Sequence, residues 1–228
     1  MTDTCVAADV AGLTVGLLGG TGSQGKGLAL RWALSGQRVV LGSRDPSRAR
    51  QAALDIGAGT PAGSITGTDN HSCAAAADLV VVAVPWKGHA ETLTDLREPL
   101  RGKVVIDCVN PIGFDDQGPY PLTVPEGSAA EQAAALLPES RVVAAFHHVS
   151  APLLADRSLS SIETDVLVLG DDRAATDVVQ ALAARIPGVR GVYAGRLRNA
   201  RQVEALTVNL IAVNRRYKAH AGLRVTDV

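Results

Sequence analysis

The chain has 228 residues and a formal net charge of −1, with 46% hydrophobic and 3% aromatic residues. This length suits one well-buried α/β domain, or one such domain with a small appendage. The near-neutral charge argues against nucleic-acid binding, and no apolar run is long enough to predict a membrane-spanning segment.

The three cysteines predict neither a disulfide framework nor a metal site. Cys5, Cys73 and Cys108 are far apart and form no Cys-x-x-Cys pair. The first residues lack the basic start and the long apolar core of a secretory signal. We therefore expect a cytoplasmic protein without a bound metal, in which residues 1–12 form an unanchored extension.

Residues 13–42 predict a strand, a glycine-rich turn, a helix and a second strand. Leu13–Leu18 is a short apolar run, as in a buried parallel strand. A helix-forming segment over Leu28–Leu34 stops at Ser35-Gly36, and Arg38–Gly42 reads as the next strand. This order of elements is one βαβ unit.

The turn of this unit matches a dinucleotide-binding fingerprint. Gly20, Gly22 and Gly25 complete the pattern G-x-G-x-x-G, in which glycines permit the tight turn, the close approach of a pyrophosphate and close helix packing. The same stretch nearly fits a P-loop, but Gly27 stands where the Mg²⁺-binding Ser or Thr would be. The sequence therefore predicts a dinucleotide rather than a nucleoside triphosphate.

The end of the second strand favours NADP over NAD. An NAD site usually has an acidic residue about 20 residues beyond the fingerprint. Here the strand ends in Ser43-Arg44, and Arg48 follows in the first turn of a helix predicted over Pro46–Ile56. A hydroxyl and guanidinium groups supply the donors and the positive charge that a 2′-phosphate needs.

The remaining segments alternate between strands and helices. Strands are predicted at 78–84, 102–109, 141–146 and 165–169, helices at 86–100, 129–137, 174–185 and 201–220, and a long loop at 110–127. This alternation predicts an α/β, Rossmann-like, doubly wound and mostly parallel sheet with a small C-terminal helical and α/β extension. The predicted domains are an NADP-binding domain at 13–150 and a smaller part at 151–228.

Ligands of such a sheet lie beyond the carboxyl ends of its strands. Val84-Pro85 and Asn110 occupy two of these ends and are predicted to line the nicotinamide, although a proline after a strand is more often a simple terminator. His147 and His148 are candidate pocket residues at a third end. The alternative is that one of these histidines is packed and the other exposed to solvent, since no neighbouring carboxylate marks them as a catalytic pair.

The last predicted helix carries an apolar stripe that must face a core or a partner. Its members recur every three or four residues: Val203, Leu206, Leu210, Val213 and Tyr217. Because symmetric dimers are the commonest assembly, we expect a homodimer. Residues 190–224 also hold eight Arg or Lys side chains against one Glu, which suggests an anionic ligand unless they form a solvated face.

From about Leu13 to Leu223 the chain resembles the coenzyme F420-dependent NADP reductases. These enzymes carry a hydride between a deazaflavin, F420, and NADP. The resemblance lies in the order and spacing of short motifs: Gly19-Gly20-Thr21-Gly22 with Gly25-Lys26-Gly27-Leu28-Ala29, Gly42-Ser43-Arg44, Ser64-Ile65-Thr66-Gly67, Pro85-Trp86, Ser128-Ala129-Ala130-Glu131 and Gly170-Asp171-Asp172.

The resemblance implies a set of cofactor contacts. Three groups of residues would bind, in turn, the pyrophosphate, the 2′-phosphate, and the nicotinamide or deazaflavin: Thr21, Gly22, Ser23 and Gln24; Ser43, Arg44 and Arg48; and Val84, Asn110, Ala151 and Leu223. NADP(H) and F420 would be the small-molecule partners. The hydride would pass directly between C5 of F420 and C4 of the nicotinamide, by positioning and without a protein acid or base.

Two other functions stay open at this point. An NADP-linked dehydrogenase of a small hydroxy or keto acid could use the same fold, but it would need a proton donor beside the carbonyl. A non-catalytic module that senses NADPH would need only the dinucleotide-binding half.

Overall fold

The computed structural model of the protein describes residues 8–228. Residues 1–7, the first part of the predicted extension, lie outside the described residues. Val10 in the second part is buried, and its carbonyl accepts a hydrogen bond of 2.9 Å from the side chain of Gln37. Because of this contact, the expectation of an unanchored extension is wrong for the segment around Val10.

Eight of the ten described strands form one sheet, in the order β10-β9-β8-β5-β4-β1-β2-β3, and β6 and β7 form a separate hairpin. The strands are β1 Thr14–Leu18, β2 Arg38–Ser43, β3 Ile65–Asp69, β4 Leu79–Val82, β5 Val104–Asp107, β6 Ile112–Asp115, β7 Gly118–Pro121, β8 Arg141–Ala144, β9 Thr164–Gly170 and β10 Val189–Gly195. All pairs in the large sheet are parallel except β8 with β9. The mostly parallel Rossmann-like prediction is thus confirmed.

Nine α-helices are described, and they cover both faces of the sheet. They are α1 Ser23–Leu34, α2 Pro46–Gly57, α3 Asn70–Ala76, α4 His89–Asp95, α5 Arg97–Leu100, α6 Ala129–Leu136, α7 Ala151–Ala155, α8 Arg173–Ala184 and α9 Ala200–Tyr217. Buried residues of α1, α2, α7 and α8 pack on one face, and those of α3 to α6 and the start of α9 pack on the other. A sheet covered in this way is doubly wound.

Two buried side chains of α1 tie the first βαβ unit to the C-terminal part. Trp32 packs edge to face on Phe146, with ring centroids 5.5 Å apart, and donates a hydrogen bond to the carbonyl of Leu182 in α8. Arg31 donates to the carbonyls of Leu153 and Leu154 at the end of α7. These contacts fix the position of α7 beside the last turns of α1.

Several predicted boundaries were wrong for identifiable reasons. The predicted loop at 110–127 contains the β6–β7 hairpin, which its prolines and glycines disguised. The predicted helix at 86–100 is divided into a 3₁₀ turn at Trp86–Gly88 and the two short helices α4 and α5. The edge strands β3 and β10 were not predicted, because Ile65–Asp69 and Val189–Gly195 hold few large apolar residues. Within residues 151–228, β9 and β10 extend the same sheet.

Candidate functional site

The predicted fingerprint forms a tight turn between β1 and α1. A Cβ atom added to Gly25 would lie 2.8 Å from Cα of Gly20, so the turn has no room for a side chain there. The helix begins at Ser23 with Gly22 as its N-cap, and no side chain of the described residues caps this end. The first backbone N–H groups of α1 are therefore available to an anion, as at a pyrophosphate site.

The residues predicted to bind the 2′-phosphate lie beside this turn. Gly42 pairs with Leu18 across β2 and β1, which brings Ser43 to the same edge of the sheet. Arg44 and Arg48 are exposed, and neither forms an ion pair with another residue in 8–228. Two unpaired guanidinium groups and a hydroxyl thus lie at the carboxyl end of β2.

A first cavity, of about 260 Å³, lies at the carboxyl ends of β4, β5 and β8. Its lining includes three residues predicted to contact the nicotinamide, and the full set is Gln24, Ala83, Val84, Pro85, Trp86, Cys108, Val109, Asn110 and His147. Cavities that enclose a whole small-molecule ligand usually measure about 300–1,000 Å³. This cavity therefore suits the ring end of a cofactor.

A second cavity, of about 210 Å³, lies between the start of α7 and helix α9 with the tail that follows it. It is lined by His147, His148, Val149, Ser150, Ala151, Pro152, Thr207, Leu210, Ile211, Asn214, His220 and Ala221. The predicted contact Ala151 is among these residues, whereas Leu223 lies two residues beyond Ala221 and is not. His147 lines both cavities, so the two cavities are adjacent at this residue.

Both histidines of the strand end are buried and neutral at pH 7. Each is 4% exposed, which makes the alternative of one packed and one solvent-exposed histidine wrong. Burial lowers the pKa of His147 to about 4, although the charge of Asp107 opposes this effect. Burial also lowers the pKa of His148, against a hydrogen bond to the backbone of Asp165. Neither ring nitrogen of His147 has a partner among the described residues, and both atoms are buried.

Hydrogen bonds among residues that line the cavities join three separate segments of the chain. The side-chain amide of Asn110, beyond β5, donates 2.9 Å to the carbonyl of His147, beyond β8. The hydroxyl of Thr207 in α9 lies 3.3 Å from Oδ1 of Asn110 and 3.4 Å from the same carbonyl of His147. Helix α9 is thereby fixed against the strand ends.

A buried pair, missed in the sequence, supports the end of β5. Nε2 of His89 lies 2.6 Å from Oδ2 of Asp107, and neither side chain is exposed. Oδ1 of Asp107 accepts a hydrogen bond of 3.0 Å from the backbone N–H of Val109, which lines the first cavity. Burial lowers the pKa of His89, but the hydrogen bond and charge of Asp107 outweigh it, so the pKa is raised.

Glu204, the one acidic residue of the basic C-terminal region, joins α9 to α6. Its carboxylate is 4% exposed and accepts hydrogen bonds from the backbone N–H groups of Ala129 (2.9 Å) and Ala130 (3.1 Å). Ser128 accepts the next N–H, of Glu131, so the start of α6 is satisfied by both side chains. Burial raises the pKa of Glu204 to about 7, against the two hydrogen bonds that lower it.

Asp165 holds the C-terminal tail in place. Its carboxylate has no exposed surface and accepts hydrogen bonds from Arg190, Arg224 and the backbone of Val225, which hold its pKa well below the usual range against the effect of burial. Its backbone N–H donates to the carbonyl of Leu223 at 2.8 Å. Two of the eight basic residues are therefore used to fasten the tail.

Comparison with known proteins decides the family. Residues 14–111 match the sequence profile described as NADP oxidoreductase coenzyme F420-dependent. An F420-dependent NADP reductase from Methanothermobacter thermautotrophicus is 42% identical over 224 residues, which cover 95% of this chain and 96% of that protein. The chain belongs to the F420-dependent NADP reductase family. The resemblance found in the sequence is thus confirmed.

Two further relatives agree with this membership. An F420-dependent NADP reductase from Methanocaldococcus jannaschii is 36% identical over 95% of this chain and 99% of its own length. The crystal structure of a protein assigned as an F420-dependent NADP reductase from Arthrobacter sp. FB24 has a TM-score of 0.78 at 27% identity, and it covers 94% of this chain and 100% of that one. Within residues 8–228, no helix is long and apolar enough to cross a membrane, and no cluster of side chains suits a metal ion.

The raised pKa of Glu204 predicts a pH effect on stability. A carboxyl group whose pKa is raised on folding binds its proton more tightly in the native state, so its contribution to the free energy of unfolding falls as pH rises from about 4.5 to about 7. Glu204→Gln lacks this titrating group. The difference between its free energy of unfolding and that of wild type should therefore rise by about 3 kcal/mol between pH 5 and pH 8, at about 1.4 kcal/mol per pKa unit.

Urea unfolding across this pH range measures the difference. Glu91→Gln serves as the control, because Glu91 is exposed in α4 and should give curves parallel to those of wild type. Parallel curves for Glu204→Gln and wild type would show that the buried carboxyl group does not titrate as expected.

Proposed function

We propose that the protein transfers a hydride between NADP(H) and coenzyme F420. The observation that carries the proposal is a pair of adjacent cavities that share His147, the first of which is also lined by Gln24 in the first turn of α1. The names of the relatives support both substrates. When both are bound, NADPH and F420 supply the redox chemistry, and the protein's residues bind and orient them.

The NADP(H) molecule would lie along the carboxyl edge of the sheet. The turn from Gly20 to Gly25 would hold the pyrophosphate at the free N-terminus of α1. Ser43, Arg44 and Arg48 would bind the 2′-phosphate, since they offer a hydroxyl and two unpaired guanidinium groups. The nicotinamide ring would then enter the first cavity, against Val84, Pro85 and Asn110.

The deazaflavin would enter the second cavity from the side of α9. Ala151 lies at the start of α7 on one wall, and Thr207 of α9 lies on the opposite wall. Leu223 would act through its backbone, which fixes the tail beside Thr164 and Asp165. In this proposal the two rings would face each other directly, beside His147.

The composition of the cavities favours hydride exchange over reduction of a small ketone. Neither cavity is lined by Asp, Glu, Lys or Arg, and the one exposed histidine among the lining residues, His220, lines only the second cavity. His147 and His148 are held neutral by burial, and a carbonyl reductase needs a general acid for the nascent alkoxide. Transfer between two heteroaromatic rings forms no alkoxide, so positioning can supply most of the rate enhancement.

A spectral assay separates the three functions considered for this chain. On mixing protein, NADPH and F420, the absorbance of the oxidised deazaflavin should decrease with turnover. A dehydrogenase of small hydroxy or keto acids would leave this absorbance unchanged but would consume NADPH with a keto acid. A sensing module would bind NADPH and change neither signal.

We also propose a homodimer, formed through the exposed half of α9 and the adjoining hairpin. Val203 at the start of the predicted stripe is buried in the core of its own chain, so only the later part can contact a partner. Val213 and Tyr217 on α9 are 37% and 73% exposed, and Phe114 in β6 is 64% exposed. Light scattering that gave a monomer mass at all concentrations would contradict this assembly. The cytoplasmic location stays a prediction.

Cofactor choice should depend on Arg44. Loss of a charge-assisted contact to phosphate should cost about 1.5–3 kcal/mol, which corresponds to a factor of about 10–150. Arg44→Ala should therefore raise KM for NADPH by about that factor and leave KM for NADH unchanged. Steady-state kinetics with both cofactors measures the ratio.

Arg50→Ala is the matched control for this prediction. Arg50 is exposed on α2, and two residues beyond Arg48 its side chain leaves the helix on a different face. The same preference for NADPH in wild type and Arg44→Ala would refute the phosphate assignment.

Replacement of His147 should affect substrate binding more than chemistry. His147→Gln is expected to lower kcat by less than about tenfold, because His147 does not act as a general acid in this proposal. Removal of a general acid would cost about 10²–10⁴-fold. Its main effect should be a higher KM for F420, since the ring lines the second cavity. A thousandfold loss of kcat at unchanged KM, with the circular dichroism spectrum intact, would instead support acid catalysis and the dehydrogenase alternative.

A further inference from the structure

The hydrogen bonding of His148 fixes which of its nitrogens carries the proton. Nε2 lies 2.8 Å from the backbone carbonyl oxygen of Asp165. A carbonyl oxygen can only accept a hydrogen bond, so Nε2 must be the donor. In a neutral imidazole one nitrogen is protonated, and Nδ1 of His148 is therefore an acceptor with a free lone pair.

This acceptor is buried and belongs to a residue that lines the second cavity. His148 is 4% exposed and lines that cavity, and no other residue in 8–228 donates to Nδ1. A buried polar atom that a bound ligand leaves unpaired weakens the binding of that ligand. A ligand that donates a hydrogen bond at this point therefore binds better than one that does not.

The orientation of the ring is fixed by the strand behind it. The backbone of Asp165 lies in β9 and donates to Leu223, while its side chain binds Arg190 and Arg224. Because the carbonyl that anchors His148 belongs to this residue, the ring has little freedom to turn. Burial also disfavours the protonated ring, in which Nδ1 would become a donor.

We propose that His148 is a specificity-determining residue whose Nδ1 accepts a hydrogen bond from an N–H or O–H group of the substrate in the second cavity. The identity of that substrate rests on the proposed function. The donors of a deazaflavin include the imide N3–H of its ring and the hydroxyl groups of its ribityl chain, and we test these two. His147 beside it has one N–H and one lone pair, so the two histidines together can pair with a ring edge that alternates carbonyl and N–H.

Two variants separate the acceptor from the anchor. In His148→Gln the side-chain amide keeps a donor for the carbonyl of Asp165 and removes the acceptor at Nδ1. In His148→Asn the shorter side chain keeps an oxygen acceptor near the position of Nδ1. We expect His148→Gln to raise KM for F420 by about tenfold with kcat and KM for NADPH nearly unchanged, and His148→Asn to recover part of that loss.

Two analogues identify the donor on the substrate. N3-methylated F420 lacks the imide N–H, and a deazaflavin without the ribityl chain lacks the hydroxyl groups. If the ring is the source, methylation should weaken binding to wild type by about tenfold and leave His148→Gln unaffected. If the ribityl chain is the hydrogen-bond donor, the analogue without that chain should show this pattern instead. The proposal is overturned if each analogue loses the same factor in affinity for wild type as for His148→Gln.

Nitrogen-15 NMR of the histidine rings tests the proposal without turnover. Wild type should show His148 with its proton on Nε2, and titration with F420 should move the Nδ1 resonance in the direction of an accepted hydrogen bond. A proton on Nδ1 in the free protein would overturn the inference. Failure of the proposed function would appear as absent turnover while Nδ1 still responded to F420, whereas turnover with an unresponsive Nδ1 would refute the inference alone.

Discussion

The cleft depends on two buried carboxylates that hold C-terminal residues against the carboxyl edge of the sheet. Glu204 fixes α9 to the start of α6, and Asp165 fixes the tail to β9 and β10. The sheet alone supplies only one wall, because the strand ends of a Rossmann fold form an open edge. With α9 and the tail in place, that edge becomes two adjoining cavities that meet at His147. The geometry for bringing two rings together thus comes from contacts far apart in the sequence.

The charges of the site are arranged around the cavities and not within them. The exposed cations Arg44 and Arg48, to which we assign the 2′-phosphate, lie outside both cavities, whose walls are apolar or carry neutral groups such as Asn110, His147 and His148. The buried His89–Asp107 pair acts through the backbone of Val109. An enzyme that moves a hydride between two rings needs close and fixed placement more than it needs a proton donor. The structure therefore suits hydride exchange better than the reduction of a carbonyl group.

Local patterns in the sequence predicted the elements of the first βαβ unit. The apolar run before the glycines, the fingerprint itself and Ser43-Arg44 all act within one βαβ unit, so short-range rules apply to them. The Pro- and Gly-rich hairpin and the edge strand β10 lacked such signals. Glu204 and Asp165 could not be found, because an acidic residue in a helix or strand looks exposed until its partners, Ala129 or Arg190, are brought to it by the fold. The spacing of motifs predicts the F420-dependent NADP reductase family, whereas the set of residues that line the second cavity can be identified only from the structure.

Isotope transfer tests the central claim, direct exchange between two positioned rings, most directly. NADPH carrying deuterium on the transferred face of C4 is mixed with F420 and the protein in ordinary water, and the reduced deazaflavin is analysed by mass spectrometry and NMR. Direct transfer predicts one deuterium at C5 of each reduced F420 and none released to water, and the reverse label, with NADPH in heavy water, predicts none at C5. Deuterium lost to solvent, or solvent-derived deuterium at C5, would contradict the account.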